Sequence, residues 1–138
     1  MSANALGKIK ILIVDDMAPV RQGLRTILEL SDDFEIIGEA RNGLEAIRAA
    51  EQLEPEVILM DLEMPVLGGL EATRRIKEQY PEIGVVILTI HGSDEVREQA
   101  TRVGWDAFVE KETPTEDLFA AIREVRASSR QYTKGNDS

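Results

Sequence analysis

Two apolar runs that end in aspartate decide the fold: Ile9–Val14 (IKILIV) leads into Asp15 and Asp16, and Val57–Met60 (VILM) leads into Asp61. Each run is short and apolar, as expected for strands of a parallel sheet that is covered on both faces. In open parallel sheets, binding sites form just outside the carboxyl ends of strands. If the two strands are neighbours, three carboxylates meet there, and a hard cation such as Mg²⁺ would relieve their repulsion. The pattern therefore predicts a metal-dependent acidic pocket.

Further apolar runs alternate with amphipathic stretches along the rest of the chain. They predict strands around Phe34–Glu39, Val85–Leu88 and Asp106–Val109, with helices between the strands. Most of these helices show helical spacing of apolar residues, whereas the fourth, Asp94–Val103, is predicted to be polar. The alternation predicts five βα units with right-handed crossovers and an α/β fold.

Local signals predict where the helices begin. Asn42 followed by Glu45 is typical of a capping box, and Ser93 is a good N-cap for the fourth helix. Thr113 followed by Pro114 predicts the start of the last helix, with Pro in its first turn.

Composition limits the function classes. The chain has 138 residues, which favours one domain, and a formal net charge of −10, which argues against a broad basic face for nucleic acid or docking on an anionic membrane. It has no cysteine, which excludes disulfides and agrees with a cytoplasmic location. No apolar run is long enough to span a membrane, and the first residues lack the apolar core of a signal peptide.

Two more predicted strands end in residues that suit phosphoryl chemistry. Thr89 follows the fourth strand and Lys111 follows the fifth. A carboxylate can act as a nucleophile towards phosphorus. A metal ion, an ammonium group and a hydroxyl donor then stabilise the charge on the phosphoryl oxygens.

With these residues in order, the chain resembles the receiver domain of two-component response regulators. The resemblance rests on Asp15-Asp16, the loop Asp61–Gly69 (DLEMPVLGG), Thr89 and the run Phe108–Lys111. It covers residues 8–127, so that 1–7 is expected to be an N-terminal tail and 128–138 a flexible tail or a truncated linker. It implies a flavodoxin-like (βα)5 three-layer sandwich with a parallel five-stranded sheet of order 2-1-3-4-5.

The resemblance also assigns roles to residues. It implies that Asp61 is the phosphoacceptor, and that Asp15, Asp16, Asp61 and the backbone carbonyl of Glu63 bind Mg²⁺ or Mn²⁺, with Asp15 acting mainly through water. Lys111 and Thr89 would contact the phosphoryl oxygens, and Phe108 would change rotamer when Thr89 moves. Glu63 and His91 occupy positions that tune the rate of dephosphorylation.

The resemblance further implies the partners of the domain. A sensor histidine kinase or a histidine phosphotransfer protein would donate the phosphoryl group, and the face formed by helix 4, strand 5 and helix 5 would then switch. The domain is expected to be a self-phosphorylating signalling module rather than an enzyme with a turned-over substrate. Phosphorylation-dependent homodimerisation through helical faces is also expected in receivers of this kind.

Details are similar to the NarL/FixJ-like subgroup. The run Asp15–Leu24 resembles its first loop and helix, and Leu88–His91 its fourth strand end. That subgroup usually carries a C-terminal DNA-binding domain that controls transcription. We therefore expect the chain either to stand alone or, as the subgroup favours, to be the receiver part of a longer regulator. The chain itself is not expected to contact nucleic acid or membrane.

Other functions compete with this interpretation. A metal-dependent phosphatase with an aspartyl nucleophile requires a second acid two residues after the nucleophile to protonate the leaving group. Glu63 occupies that position relative to Asp61. A nucleotide-binding domain needs a Gly-rich loop after the first strand, where this chain has an acid pair. An adaptor that works without phosphorylation is a further alternative.

Each site residue also has an ordinary structural interpretation. Asp15-Asp16 could cap the following helix, whose N-terminus favours negative charge. Phe108 could be a core aromatic. The site interpretation therefore rests on the combination of residues and not on any one of them.

Overall fold

The computed structural model of the protein describes residues 7–89 and 93–136. Five strands and five helices alternate along the chain. They are β1 Ile9–Val14, α1 Ala18–Leu28, β2 Phe34–Ala40, α2 Gly43–Leu53, β3 Val57–Asp61, α3 Gly69–Gln79, β4 Gly84–Thr89, α4 Asp94–Val103, β5 Ala107–Glu110 and α5 Thr115–Asn136.

The strands form one sheet of order β2-β1-β3-β4-β5, and every pair is parallel. The expected α/β fold with strand order 2-1-3-4-5 is therefore confirmed. The order reverses between β1 and β3, whose carboxyl ends lie side by side because Val14 pairs with Met60. This is the place where a site is expected in such a sheet.

Two apolar layers cover the sheet, one on each face. Alternate residues of β1 divide between them, with Ile11 and Ile13 in one core and Leu12 and Val14 in the other. The first core also receives α1 and α5, and the second receives α2 and α3. All residues of β3 and β4 are buried, which explains why these strands are apolar up to the polar residue that ends each of them.

The helix starts agree with the local signals at two of three places. The Asn42 side chain accepts a hydrogen bond from the Glu45 amide at 2.9 Å, and Ser93 accepts one from the Val96 amide at 3.1 Å. The reciprocal half of the capping box differs, because the Glu45 carboxylate accepts from the Arg41 amide and not from Asn42.

The last helix differs from the sequence expectation at both ends. It begins at Thr115, so Pro114 precedes its first turn and its carbonyl accepts from the amides of Asp117 and Leu118. It continues to Asn136. Residues 128–136 are therefore helical in this structure, although their loss of apolar period favoured an irregular tail. The domain boundary at residue 127 stays a prediction.

No helix among the described residues is both long enough and apolar enough to cross a membrane.

Candidate functional site

The three aspartates that the sequence singled out meet at the carboxyl edge of the sheet. One carboxylate oxygen from each of Asp15, Asp16 and Asp61 lies within 4.8 Å of the others. Asp61 is the last residue of β3, and Asp15 and Asp16 directly follow β1, so the parallel pairing of these strands produces the cluster. Asp15 and Asp61 are buried, whereas Asp16 is exposed to solvent. The cluster of three aspartates offers only oxygen atoms as ligands, which suits a hard cation such as Mg²⁺.

Lys111 supplies the positive charge that faces this cluster. Its Nζ lies 2.7 Å from Asp15 Oδ2 and 3.2 Å from Asp61 Oδ1. The backbone amide of Lys111 donates to the Thr89 carbonyl at 2.8 Å, which fixes the start of the β5–α5 loop beside the end of β4. Lys111 therefore bridges two of the three acids, although 96 positions separate it from Asp15 in the chain.

Charge and burial shift the titration of the central pair. Burial, and next the charge of Asp15, raise the pKa of the Asp61 carboxyl, while Lys111 opposes this rise. Burial lowers the pKa of Lys111, but its hydrogen bond to Asp15 and the charges of the two acids outweigh burial, so its pKa is raised. The lysine is therefore held charged, but it does not fully offset the effects of burial and of the Asp15 charge on Asp61.

The loop after β3 folds back tightly on Asp61. The Gly69 amide donates to the Leu62 carbonyl at 3.0 Å, and a side chain at Gly69 would begin only 2.0 Å from the Asp61 carbonyl oxygen. The same loop contacts α2, since the Gly43 amide donates to the Leu67 carbonyl at 2.9 Å. Glu63 lies exposed in this loop, two residues after Asp61.

Two of the remaining predicted residues, Thr89 and Phe108, lie in β4 and β5, the strands that follow β3 in the sheet order. Thr89 is the last residue of β4, is buried at 6% exposure and pairs with Glu110 across the sheet. Phe108 lies in β5, where its ring contacts Trp105 edge to face at a centroid distance of 6.0 Å, and the Arg97 guanidinium lies 4.5 Å from its centroid. His91 lies outside the described residues.

One feature of the site was missed by the sequence reasoning. Arg21 of α1 donates from Nη1 to the Asp15 carbonyl at 2.7 Å and from Nε to Glu39 Oε1 at 2.9 Å. Arg21 stands in the run that resembles the NarL/FixJ-like subgroup but received no role. An arginine in the first turns of an amphipathic helix gives no signal that separates it from a surface charge.

Comparison with known proteins agrees with this geometry. Residues 11–123 match the response regulator receiver domain family. The transcriptional regulatory protein YdfI of Bacillus subtilis is 45% identical over 118 residues, which cover 83% of this chain and 55% of that protein. The response regulator protein VraR of Staphylococcus aureus is 40% identical over 117 residues, covering 85% of this chain and 56% of VraR.

Solved structures give the same result. A LuxR-family response regulator from Aurantimonas superposes with a TM-score of 0.83 at 30% identity, covering 88% of this chain and 86% of that one. A LuxR-family DNA-binding response regulator from Staphylococcus aureus superposes with a TM-score of 0.80 at 33% identity, covering 86% of this chain and 98% of the other. These relatives match the NarL/FixJ-like subgroup expected from the sequence.

The chain spans about half the length of the curated relatives that it matches, from 50% to 56%. The family match, the strand order and the acidic centre all point to the same family. The chain therefore belongs to the response regulator receiver domain family of two-component signalling.

Proposed function

We propose that this domain accepts a phosphoryl group on Asp61 in a Mg²⁺-dependent reaction. The observation that carries the proposal is the meeting of Asp15, Asp16 and Asp61 within 4.8 Å, with Lys111 in contact with two of them. Asp61 is central in this arrangement, because it is the acid at the end of the buried middle strand β3.

The reaction forms a bond between an Asp61 carboxylate oxygen and phosphorus as the bond from phosphorus to the donor breaks. The donor keeps the electron pair of that bond. Asp15, Asp16, Asp61 and the carbonyl of Glu63 would hold Mg²⁺, or Mn²⁺ in its place, which supplies charge compensation for the phosphoryl oxygens when it is bound. Lys111 Nζ, already within reach of Asp61, would pair with one phosphoryl oxygen, and the Thr89 hydroxyl would donate to another.

The donor would be a sensor histidine kinase or a histidine phosphotransfer protein, as for receivers in general. Such a donor acts in the cytoplasm, which is where the proposal places this domain. Glu63 and His91 would tune how fast water removes the phosphoryl group, and Phe108 would report its presence to the face of α4, β5 and α5. Phosphorylation would shift the equilibrium between two conformations of this face, and it can do so only by the difference between its contacts in those two conformations.

The output would be transcription. Relatives that are described as transcriptional regulatory proteins support this, and they extend well beyond the length of this chain. Under this proposal residues 8–127 are the receiver, 1–7 precede it, and 128–138 lead towards an output domain in the full regulator. A phosphorylation-dependent homodimer is part of the same proposal.

Phosphorylation can be tested directly. The chain incubated with Mg²⁺ and acetyl phosphate should gain the mass of one phosphoryl group, labile to base and to hydroxylamine, and Asp61→Asn should lose it. Asp33→Asn removes an acid of the β2 edge that pairs with Arg123 and should leave labelling unchanged. Labelling that persists in Asp61→Asn would contradict the proposal, and steady release of phosphate from many phosphomonoesters would favour a phosphatase instead.

A further inference from the structure

An ion-pair network joins α1 to β2. Glu39, near the end of β2, bridges two arginines of α1. Its Oε1 accepts from Arg21 Nε at 2.9 Å, and its Oε2 accepts from Arg25 at 3.0 and 2.8 Å. Hydrogen bonding from Arg25 lowers the pKa of Glu39, burial opposes this, and the bond from Arg21 lowers it further. Glu39 therefore stays ionised at neutral pH.

The two arginines differ in one respect that matters for the site. Arg21 has a side chain only 13% exposed, and its Nη1 reaches past Glu39 to the Asp15 carbonyl at 2.7 Å. Arg25 is 35% exposed, and its guanidinium donates to Glu39. The pair thus offers one arginine that contacts the acid pocket and a neighbour that shares the same carboxylate without such a contact.

Asp15 is held at every polar atom. Its amide donates to the Ala40 carbonyl at 3.1 Å, and its Oδ1 accepts from the Met17 amide at 3.0 Å. Its Oδ2 accepts from Lys111, and its carbonyl oxygen accepts from Arg21. Arg21 and Lys111 are the two side chains in this set, and they hold opposite ends of the residue.

The carbonyl of Asp15 belongs to the same planar peptide unit as the amide of Asp16. Fixing the direction of that carbonyl therefore fixes the plane from which the Asp16 residue projects. Asp16 is the exposed acid of the cluster, and no side-chain hydrogen bond or ion pair to its carboxylate is found among the described residues. Its placement depends on its backbone, so the carbonyl contact is the means by which Arg21 can act on it.

We propose that Arg21, oriented by Glu39, is a positioning residue for the divalent cation site: it holds the Asp15–Asp16 peptide so that the Asp16 carboxylate faces Asp61. This rests on the proposed function, because it assumes that the three acids bind Mg²⁺. Partners that orient metal ligands from outside the coordination shell typically change affinity by about 10- to 100-fold when removed.

The test compares Arg21→Gln with Arg25→Gln in calorimetric titrations with MgCl2. Arg21→Gln should weaken Mg²⁺ binding about tenfold. Arg25→Gln removes a comparable ion pair to the same carboxylate, and should change Mg²⁺ affinity by less than about twofold. Arg21→Gln with wild-type affinity would overturn the inference, and so would an equal loss in both variants, which would indicate general damage to the α1–β2 contact.

A second readout separates positioning from chemistry. Because Arg21 acts on metal placement and does not touch the phosphoryl group in this scheme, saturating Mg²⁺ should restore the rate of phosphorylation by acetyl phosphate in Arg21→Gln. A rate that stays low at saturating Mg²⁺ would overturn the assignment. If Arg21→Gln fails to fold, Glu39→Gln removes the charge that orients Arg21 and should itself weaken Mg²⁺ binding; unchanged affinity there would likewise overturn it.

Failure of this inference is distinguishable from failure of the proposed function. If the wild-type chain binds no Mg²⁺, the proposed function fails. If the wild type binds Mg²⁺ and Asp16→Asn loses it while Arg21→Gln does not, only the role of Arg21 is refuted.

Discussion

At the residue scale, burial and the charge of Asp15 disfavour the ionised form of Asp61 in the acid pocket. Lys111 contacts the two buried carboxylates, Asp15 and Asp61, while the exposed carboxylate of Asp16 lies beside them. A group whose pKa is higher in the folded state than in the unfolded chain favours folding when protonated and opposes it when ionised. The raised pKa of Asp61 therefore means that its charge costs stability at neutral pH.

The raised pKa of Asp61 predicts how the stability of an Asp61 variant depends on pH. Without Mg²⁺, Asp61→Asn should have a higher free energy of unfolding than the wild type at pH 7. The advantage should grow as pH rises from the ordinary carboxyl pKa of 3.8 and disappear below it, where Asp61 is protonated in both states. Urea unfolding at several pH values measures it. An advantage that is constant with pH would show that packing, and not charge, is responsible.

A second residue-scale prediction concerns Thr73 of α3. Its side chain is fully buried, and its hydroxyl has no hydrogen-bond partner among the described residues. A buried hydroxyl without a partner costs about 1–3 kcal/mol, so Thr73→Val should raise the free energy of unfolding by about 1 kcal/mol. Thr26 is exposed and bonds the Gln22 carbonyl, so Thr26→Val should change stability little. A loss of stability in Thr73→Val would indicate that the hydroxyl does have a partner.

At the element scale, the loop between β3 and α3 depends on glycine at one of two adjacent positions. A Cβ at Gly69 would lie 2.0 Å from the Asp61 carbonyl oxygen, whereas a Cβ at Gly68 would lie 3.4 Å from the Leu62 carbonyl oxygen. The first distance is impossible without moving the backbone next to the proposed phosphoacceptor. The second is an ordinary contact. The sequence motif names both glycines, but only the folded loop distinguishes them.

The same substitution at Gly68 is a matched control for one at Gly69. Gly69→Ala should destabilise the protein by about 3 kcal/mol and disturb the acid pocket, because the clash is with backbone that has no room to relax. Gly68→Ala should cost only about 1 kcal/mol, because alanine is a poorer N-cap than glycine but its Cβ would not clash with the loop. Chemical denaturation of both variants measures the difference. Similar losses in the two would show that the loop can shift.

At the scale of the whole molecule, the acidic edge of the sheet couples cation binding to stability. A ligand that binds only the folded state stabilises it, by about 1.4 kcal/mol at a concentration ten times its Kd. Mg²⁺ at such a concentration should therefore raise the thermal midpoint by a few degrees. Asp16→Asn should lose this increment. Asp33→Asn, which breaks the exposed ion pair to Arg123, should keep it even if its midpoint in the absence of Mg²⁺ is lower.

Scanning calorimetry with and without MgCl2 measures these midpoints. An equal increment in the wild type and in Asp16→Asn would place the cation elsewhere on a chain whose net charge is −10.

Much of the fold could be predicted because its signals are local. Strands and helices are predicted from patterns that extend over a few residues, such as apolar runs and helical spacing. The N-caps predicted at Asn42 and Ser93 are confirmed by their side-chain hydrogen bonds. The weak periodicity after residue 127 gave no such signal, and α5 extends there nonetheless. The placement of Thr89 and Lys111 at this edge could be predicted because the carboxyl ends of parallel strands meet there, whichever side chains they carry.

The sequence by itself determined the chemical groups available, the order of the elements and the edge of the sheet at which the acids would gather. Only the tertiary structure decided that Asp15 is buried and Asp16 exposed, that Lys111 bridges Asp15 and Asp61, and that Arg21 reaches the Asp15 carbonyl while Arg25 stops at Glu39. The physical reason is range: strand and helix signals act between near neighbours in the chain. Such contacts, by contrast, depend on strand register and helix placement, to which residues far apart in sequence contribute together.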